Sequence, residues 1–236
     1  MRLEDISLPA AYAFTAAGFA SIYFGVGAAT AYFTGSLFPA LRIGRALGGE
    51  ARAGQRRTEI FNSLVSIAIF GFYGVATVVL ARAGLIEVDW QPRLLPLLPE
   101  LAFLVLWNEL HFYAFHRLLH TRWLYRKVHI VHHRSVPPTP FATYSFHWVE
   151  STLLGSVMLF VQPFHAFNVL TLVLFPLVSI TLNNIGHMSY DLAAGRSTWH
   201  PLAASRRHSQ HHHRVAGNFG FLLPVFDWLF RTNLPE

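Results

Sequence analysis

The chain has 236 residues, of which 53% are hydrophobic and only 13% are charged, and its net charge is +6. Soluble domains carry about 25% charged residues, so this composition excludes an ordinary soluble domain, and the length suits a single domain. The absence of cysteine excludes disulfides, thiolate-bound haem, cysteine-bound iron–sulfur clusters and Cys-type zinc sites.

Three long stretches contain no Asp, Glu, Lys or Arg, namely residues 6–41, 60–81 and 151–190. One membrane-spanning helix needs about 20 apolar residues, so all three stretches predict membrane segments. We expect spanning helices over residues 9–34 and 60–82. The first stretch is far longer than the roughly 7–15 apolar residues of a secretory signal, and we expect it to stay in the mature protein.

The third predicted helix, residues 94–120, is amphiphilic. It follows a proline-rich loop over residues 84–99, starts apolar and ends with His111, His116 and His120. The polar chemistry of the chain therefore begins where this helix leaves the membrane.

The stretch 151–186 is too long for one helix and contains Pro163. A helical hairpin that turns at Gln162–Ala166 is therefore expected. The predicted fold class is all-α, an integral membrane bundle of about four transmembrane helices. Its last one or two helices form the hairpin, and a histidine-rich helical lobe lies outside the membrane. Residues 1–95 would form the N-terminal transmembrane part, and residues 96–236 would form a histidine-rich domain integrated with it.

Basic residues cluster in the short segments beside the apolar stretches. By the positive-inside rule we expect these segments, the histidine-rich lobe and the C-terminus on the cytoplasmic side. Membrane topology explains the positive charge better than nucleic-acid binding, because no long basic stripe is present. The two clusters are Arg42, Arg45, Arg52, Arg56 and Arg57, and Arg117, Arg122, Arg126, Lys127 and Arg134.

The 14 histidines are the most informative feature of the sequence. His116 and His120 are four residues apart, so they project from one face of a helix. Two later triplets have offsets of three and four, and each can present at least two imidazoles to one point. The triplets are His129, His132 and His133, and His208, His211 and His212.

A lone histidine is more often a hydrogen-bonded core or interfacial residue than a ligand, and we interpret His165 and His200 in this way. For His111, His147 and His213 both interpretations stay open. The eight clustered histidines are different, because burying so many imidazoles without a common partner would be costly.

Imidazole suits zinc, copper, iron and nickel, but one zinc needs only four ligands. Eight or nine histidines therefore indicate two metal ions. Zinc cannot change its redox state, so an all-histidine pair beside a membrane favours two iron ions with open positions for dioxygen, and zinc stays an alternative. Ligating imidazoles usually donate their second N–H to a carboxylate or carbonyl. Glu109, seven residues before His116, is the first candidate for that role, and an acid at the membrane boundary is the other interpretation.

Three motifs, H-R-L-L-H at 116–120, H-I-V-H-H at 129–133 and H-S-Q-H-H at 208–212, occur in the order typical of one family. The sequence resembles the fatty acid hydroxylase and sterol desaturase superfamily of membrane di-iron enzymes over roughly residues 100–232. Glu109 and Tyr113 before the first motif, and G-N-F-G and D-W-L-F after the third, extend the resemblance.

The resemblance implies a ninth ligand, His187, and this chain has Asn183 where some members have a further histidine. Residues 138–150 look most like the sterol desaturase branch, although the proline of its H-P-x-E pattern is missing between His147 and Glu150. The implied supporting residues around the metals are Glu109, Tyr113, His147 and Glu150. The implied metal ligands are His116, His120, His129, His132, His133, His187, His208, His211 and His212.

The predicted activity is hydroxylation or desaturation of a lipid C–H bond with dioxygen, with a sterol- or isoprenoid-like lipid favoured. No G-x-G-x-x-G fingerprint is present, so electrons must come from an external donor, of the ferredoxin or cytochrome b type with its reductase. A carotenoid, fatty acyl or sphingoid substrate is the alternative for the same centre. A non-catalytic membrane metal-binding or transport protein is the alternative of another class, although transport predicts ionisable residues within the apolar stretches.

Overall fold

The computed structural model describes residues 3–235, and most of them are helical. The long helices are α1 (Leu8–Leu41), α2 (Gln55–Arg82), α3 (Leu97–Leu119) and, later in the chain, α6 (Val169–His187). The last ten residues of α1 include a π-helical stretch, Phe33–Leu37. Two of these boundaries have local causes: the Ser7 hydroxyl accepts a hydrogen bond from the Ala10 N–H before α1, and Asn168 caps α6 through the Leu170 N–H.

The shorter elements complete the chain. Helix α4 consists of Arg122–Leu124, the π-helical Tyr125–His129 and Ile130–His133, and it is followed by α5 (Trp148–Gly155), α7 (Ala204–Arg214) and α8 (Val225–Leu229). The 3₁₀ turns are Leu3–Asp5, Pro140–Ala142, Ser156–Met158, Gln162–Phe164 and Pro201–Ala203. Strand β1 (Arg45–Ala46) pairs antiparallel with β4 (Tyr190–Asp191), and β2 (Val88–Asp89) pairs parallel with β3 (Phe167–Asn168).

Within residues 3–235, three helices are long and apolar enough to cross a membrane: α1, α2 and α6. In the most apolar window of α1 only 11% of the residues are buried inside the protein, and the values for α2 and α6 are 33% and 28%. Their apolar side chains are thus largely available to contact lipid. The helices predicted at 9–34, 60–82 and 94–120 correspond to α1, α2 and α3.

The segment predicted as a helical hairpin has a shorter first arm than expected. Its first helix, α5, ends at Gly155, and 3₁₀ turns lead to α6. Gly155 packs so closely on α2 that an added Cβ would lie 2.6 Å from the Tyr73 ring. Pro163 follows in the first turn of Gln162–Phe164, where its fixed φ is tolerated. The turn therefore occurs close to its predicted position, and only its second arm is a long helix.

Polar contacts connect α2 to the loop that follows α4. The Ser66 hydroxyl donates to the Tyr144 carbonyl oxygen at 2.7 Å, and the buried Glu59 carboxylate accepts hydrogen bonds from Gln55 and Thr139. An aromatic and aliphatic core, which includes Tyr144 and Phe146, packs beside these contacts. The loop is thereby held against the membrane helices, and it places Phe146 next to the histidines.

Helices α3 and α6 contact each other, and both end at the histidines. The C-terminal part of α3 carries His116, with His120 as its C-cap, and α6 ends with His187. Helix α7 packs on α6 and adds the third motif. The ends of these helices therefore gather the sequence motifs at one end of the bundle.

Candidate metal centre

Nine histidine side chains form two adjacent groups at this end of the bundle. In each group, one nitrogen atom from every ring lies within 4.8 Å of the corresponding atoms of all the others, so each group could hold a metal ion. The first group is His116, His120, His129, His133 and His211, and the second is His132, His187, His208 and His212.

The second and third motifs each divide between the two groups. On α4, His129 and His133 belong to the first group, whereas His132 belongs to the second. On α7, His208 and His212 belong to the second group, whereas His211 belongs to the first. Residues four apart share a helix face, whereas the middle residue of each triplet projects in another direction. Both helices therefore contribute to both groups.

Burial keeps these imidazoles neutral. Eight of the nine are buried, and His120 is partly exposed. Burial lowers the pKa of His211 to about 4, and burial together with the neighbouring imidazoles lowers the pKa of His208 and His212 well below 6.5. Neutral imidazole is the form that binds metal ions.

Four of the rings use Nδ1 in a hydrogen bond that orients them. His129 Nδ1 lies 2.8 Å from the Glu150 carboxylate. The other three Nδ1 atoms donate to backbone carbonyl oxygens: His116 to Phe219 at 2.8 Å, His187 to Asn183 at 2.9 Å and His211 to Gly217 at 2.6 Å. A proton on Nδ1 leaves the Nε2 lone pair free for a metal ion.

The Nε2 atoms of neighbouring rings lie close together. The separations include 3.1 Å between His211 and His133, 3.2 Å between His187 and His132, and 2.9 Å between His208 and His187. A metal–imidazole bond is roughly 2.0–2.1 Å long, which places adjacent ligand nitrogens about 3 Å apart. The observed spacing fits that value.

Five buried ring nitrogens have no hydrogen-bond partner within residues 3–235, namely Nε2 of His116 and His129 and Nδ1 of His132, His133 and His212. A buried unsatisfied polar group costs about 1–3 kcal/mol. A cation between the rings of the first group would satisfy the two Nε2 atoms. The donor type, the spacing and the unpartnered nitrogens are those of residues that could hold a metal ion in each group.

A short loop, residues 217–220, supplies two of the carbonyl oxygens that orient the rings. Asp227 on α8 holds this loop, because its carboxylate accepts from the N–H groups of Phe219 at 2.8 Å and Gly220 at 2.7 Å. Thr232 donates a third hydrogen bond to it at 2.7 Å. In the sequence, Asp227 appears only as the first residue of D-W-L-F, and its spacing from G-N-F-G was the signal for this role.

Of the four supporting residues expected from the sequence, only Glu150 contacts one of the nine imidazoles through a hydrogen bond among those described. Glu109 instead accepts hydrogen bonds from the N–H groups of Leu222 and Leu223 at 2.7 and 3.2 Å. It stabilises the segment after the 217–220 loop. Tyr113 lies 3.1 Å from the Thr232 hydroxyl oxygen, and His147 caps α5 through the Val149 N–H.

The three histidines that sequence reasoning left undecided lie outside both groups as far as residues 3–235 show. His111 Nε2 lies 3.3 Å from the Ser156 hydroxyl, and His213 donates through Nδ1 to the Ser209 carbonyl at 2.7 Å. His147 is the α5 cap described above. In this structure, all three side chains make hydrogen bonds to other parts of the chain.

A cavity of about 370 Å³ extends between α1, α2, α3 and α6. Its walls are mostly apolar, and Phe112 and Phe146 line it. The Phe112 ring centroid is 4.9 Å from that of His116, and the Phe146 ring centroid is 5.1 Å from that of His132. Phe112 and Phe146 thus separate the cavity from His116 and His132, and none of the nine histidines is among the described lining residues. The size and lining of the cavity suit an apolar small molecule.

The family model of fatty acid hydroxylases matches residues 101–232. Similar proteins include the very-long-chain aldehyde decarbonylase GL1-11 of Oryza sativa subsp. indica, which is 28% identical over 60% of this chain and 55% of that protein. Methylsterol monooxygenase 2-2 of Arabidopsis thaliana is 27% identical over 57% of this chain and 52% of its own length. The chain thus spans about half the length of these relatives. No solved structure matches it.

Proposed function

Because this chain belongs to the fatty acid hydroxylase family, in its sterol desaturase-like branch, we propose that it is a membrane-bound non-haem di-iron oxidoreductase. It would use dioxygen and external electrons to hydroxylate or desaturate a C–H bond of a lipid. One observation carries the proposal: nine histidines form two groups that could each hold a metal ion, and only phenylalanine side chains separate them from an apolar cavity between helices long and apolar enough to cross a membrane.

The nine histidines of the two groups would hold the metal ions, five around one position and four around the other. The bound metals would supply the power to oxidise an unactivated C–H bond. Iron is favoured over zinc because the reaction requires a change of redox state.

The chain's own residues would orient the histidine rings, bind the lipid and exclude water from the reacting carbon. Glu150 and the carbonyl oxygens of Gly217, Phe219 and Asn183 keep each Nδ1 proton on the outer side of its ring. The cavity walls would hold the lipid and exclude water from the carbon that reacts. Phe146, which packs between the cavity and His132, would limit how closely that carbon approaches.

The substrate class rests on the relatives and the cavity. One similar protein is named a methylsterol monooxygenase and another a very-long-chain aldehyde decarbonylase. We favour a sterol- or isoprenoid-like lipid, and a long-chain acyl or aldehyde lipid is the second candidate. Both fit an apolar cavity whose lining carries no Asp, Glu, Lys or Arg among the described residues.

The electron donor would be a ferredoxin or a cytochrome b type protein with its reductase. Arg122, Arg126 and Lys127 on α4 lie on the segment that also carries the second motif. Basic residues beside membrane helices predict the cytoplasmic side, so we place the metal centre and the C-terminus there. A positive surface would attract an acidic donor, and salt would then slow electron delivery.

Metal analysis with Mössbauer spectroscopy on anaerobically purified protein tests the proposal. We expect two coupled irons per chain and a dioxygen-dependent lipid product with a suitable reductant. His116→Ala and His132→Ala, one from each group, should lower metal content and abolish turnover together. The matched control is His213→Ala, because His213 is exposed and lies outside both groups.

Two outcomes would contradict the proposal. Full metal content without any oxidised lipid would favour a metal-binding or transport protein. Full activity in His116→Ala and His132→Ala would show that the two groups are not the reaction centre.

A further inference from the structure

The side-chain amide of Asn108 projects into the cavity without a partner. Asn108 lies on α3, lines the cavity and is 8% exposed. Across residues 3–235 its amide makes no hydrogen bond. The side chains of Tyr73, Thr77 and His111, which also line the cavity, each make one. A buried amide usually has a hydrogen-bond partner, so the unpaired amide indicates a ligand atom.

Other polar side chains of the lining also make no hydrogen bond within residues 3–235, namely those of Thr15, Tyr144, Ser179 and Asn183. Ser179 lies on α6, and its hydroxyl likewise has no hydrogen bond to the described part of the chain. Asn108 precedes His116 by eight residues on α3, and Ser179 precedes His187 by eight residues on α6. Eight residues of helix rise about 12 Å, and both helices end at the histidine groups. The two polar groups therefore lie at similar depths below the metal centre.

The chemistry of the cavity restricts what these groups can bind. None of its described lining residues is Asp, Glu, Lys or Arg, so a carboxylate or phosphate headgroup would be buried there without an opposite charge, at a high cost. A neutral hydroxyl or carbonyl oxygen could be buried there without that cost. An amide can donate a hydrogen bond to either oxygen and can also accept one from a hydroxyl.

We propose that Asn108, assisted by Ser179, hydrogen-bonds to the neutral polar group of the lipid substrate, a hydroxyl or a carbonyl oxygen. This rests on the proposed function and narrows its substrate class to neutral lipid alcohols, ketones and aldehydes. Asn108 then sets the depth of the lipid in the cavity. Because the helical rise to His116 is about 12 Å, the polar group and the oxidised carbon lie at separate positions of one molecule.

Lipid retention by the full-length protein in detergent tests this without any turnover. The probes are two matched alcohol and hydrocarbon pairs, cholesterol with cholest-5-ene and 1-octadecanol with octadecane, together with stearate. The wild-type protein should retain at least one alcohol about tenfold more tightly than its hydrocarbon, as expected for one hydrogen bond in a dry site. It should retain stearate weakly.

Asn108→Leu should reduce that ratio to near one while the hydrocarbon is retained as before. Asn108→Ala should act in the same direction, and it provides a second variant if leucine does not fit. Asn233→Leu is the matched control, because Asn233 is exposed and lies outside the cavity. Both Asn108 variants should keep the wild-type metal content and unfold at an equal or higher temperature, because an unpaired buried amide is lost.

The proposal is overturned if neither alcohol exceeds its hydrocarbon in the wild-type protein. It is also overturned if the Asn108 variants keep the wild-type ratio, or if they unfold at a lower temperature with the ratio intact, since Asn108 would then have a structural role. Failure of the proposed function gives a different result, namely no irons or no oxidised product while the alcohol preference persists.

Discussion

Nδ1 of His129 lies 2.8 Å from Oε1 of Glu150, and each side chain is only 1% exposed. Burial raises the pKa of Glu150 well above its ordinary value, because a charged carboxylate is costly away from water. Its hydrogen bond to His129 satisfies one of the two carboxyl oxygens. The hydrogen bond joins α4 to α5. It leaves Nε2 of His129 free for the first histidine group. This contact connects α5 to the candidate metal centre.

Glu150→Gln should weaken metal binding by about 10- to 100-fold, the usual effect of removing a carboxylate partner from a ligating histidine. Competition with a chelator, followed by metal analysis, measures the change. Glu87→Gln replaces an exposed glutamate and is the matched control. Unchanged chelator resistance in Glu150→Gln would show that the carboxylate does not orient His129 for a metal ion.

Asp227→Asn should disturb the first histidine group more than the second. The Asp227 carboxylate holds the N–H groups of Phe219 and Gly220, and the 217–220 loop orients His116 and His211. Both of these histidines belong to the first group. We expect the Mössbauer signal of one iron to change or be lost while the other stays close to wild type. Equal changes at both irons would contradict this division of the site.

Gly74→Ala should destabilise the packing of α1 on α2. A Cβ at Gly74 would lie 2.0 Å from the Thr15 hydroxyl oxygen and 2.8 Å from the Ala11 carbonyl oxygen, and overpacking of this kind costs about 1–3 kcal/mol. Gly18→Ala is the control, since nothing lies within 4 Å of its added Cβ, and alanine favours a helix by about 0.5–1 kcal/mol. Thermal unfolding in detergent should therefore move in opposite directions for the two variants.

Acid should destabilise the metal-free protein. Burial lowers the pKa of His211 to about 4, whereas an unfolded histidine has a pKa of about 6.5. Between about pH 4 and 6.5 the unfolded state therefore binds more protons than the folded state. The contribution of His211 to the free energy of unfolding is complete above about pH 6.5 and decreases as the pH falls towards 4. Unfolding temperatures measured with a chelator at pH 7.5, 6.5 and 5.5 should fall in that order. A flat profile would indicate that the rings are solvated in the metal-free state.

The sequence by itself determined the elements with strong local signals. Uncharged stretches predicted α1, α2 and α6, and the spacing of His116 and His120 predicted one shared helix face. These features depend on neighbours within a few turns of one helix, so periodicity and composition are sufficient to predict them.

Only the tertiary structure decided how the separate segments meet. It placed His132 in a different group from His129, and it paired His129 with Glu150, whereas Glu109 bonds the backbone near Leu222. It also left Asn108 unpaired in a cavity between helices that are distant in sequence. Local periodicity gives the direction of a side chain on its own helix, but its partner depends on how the helices pack, and packing is a property of the whole chain.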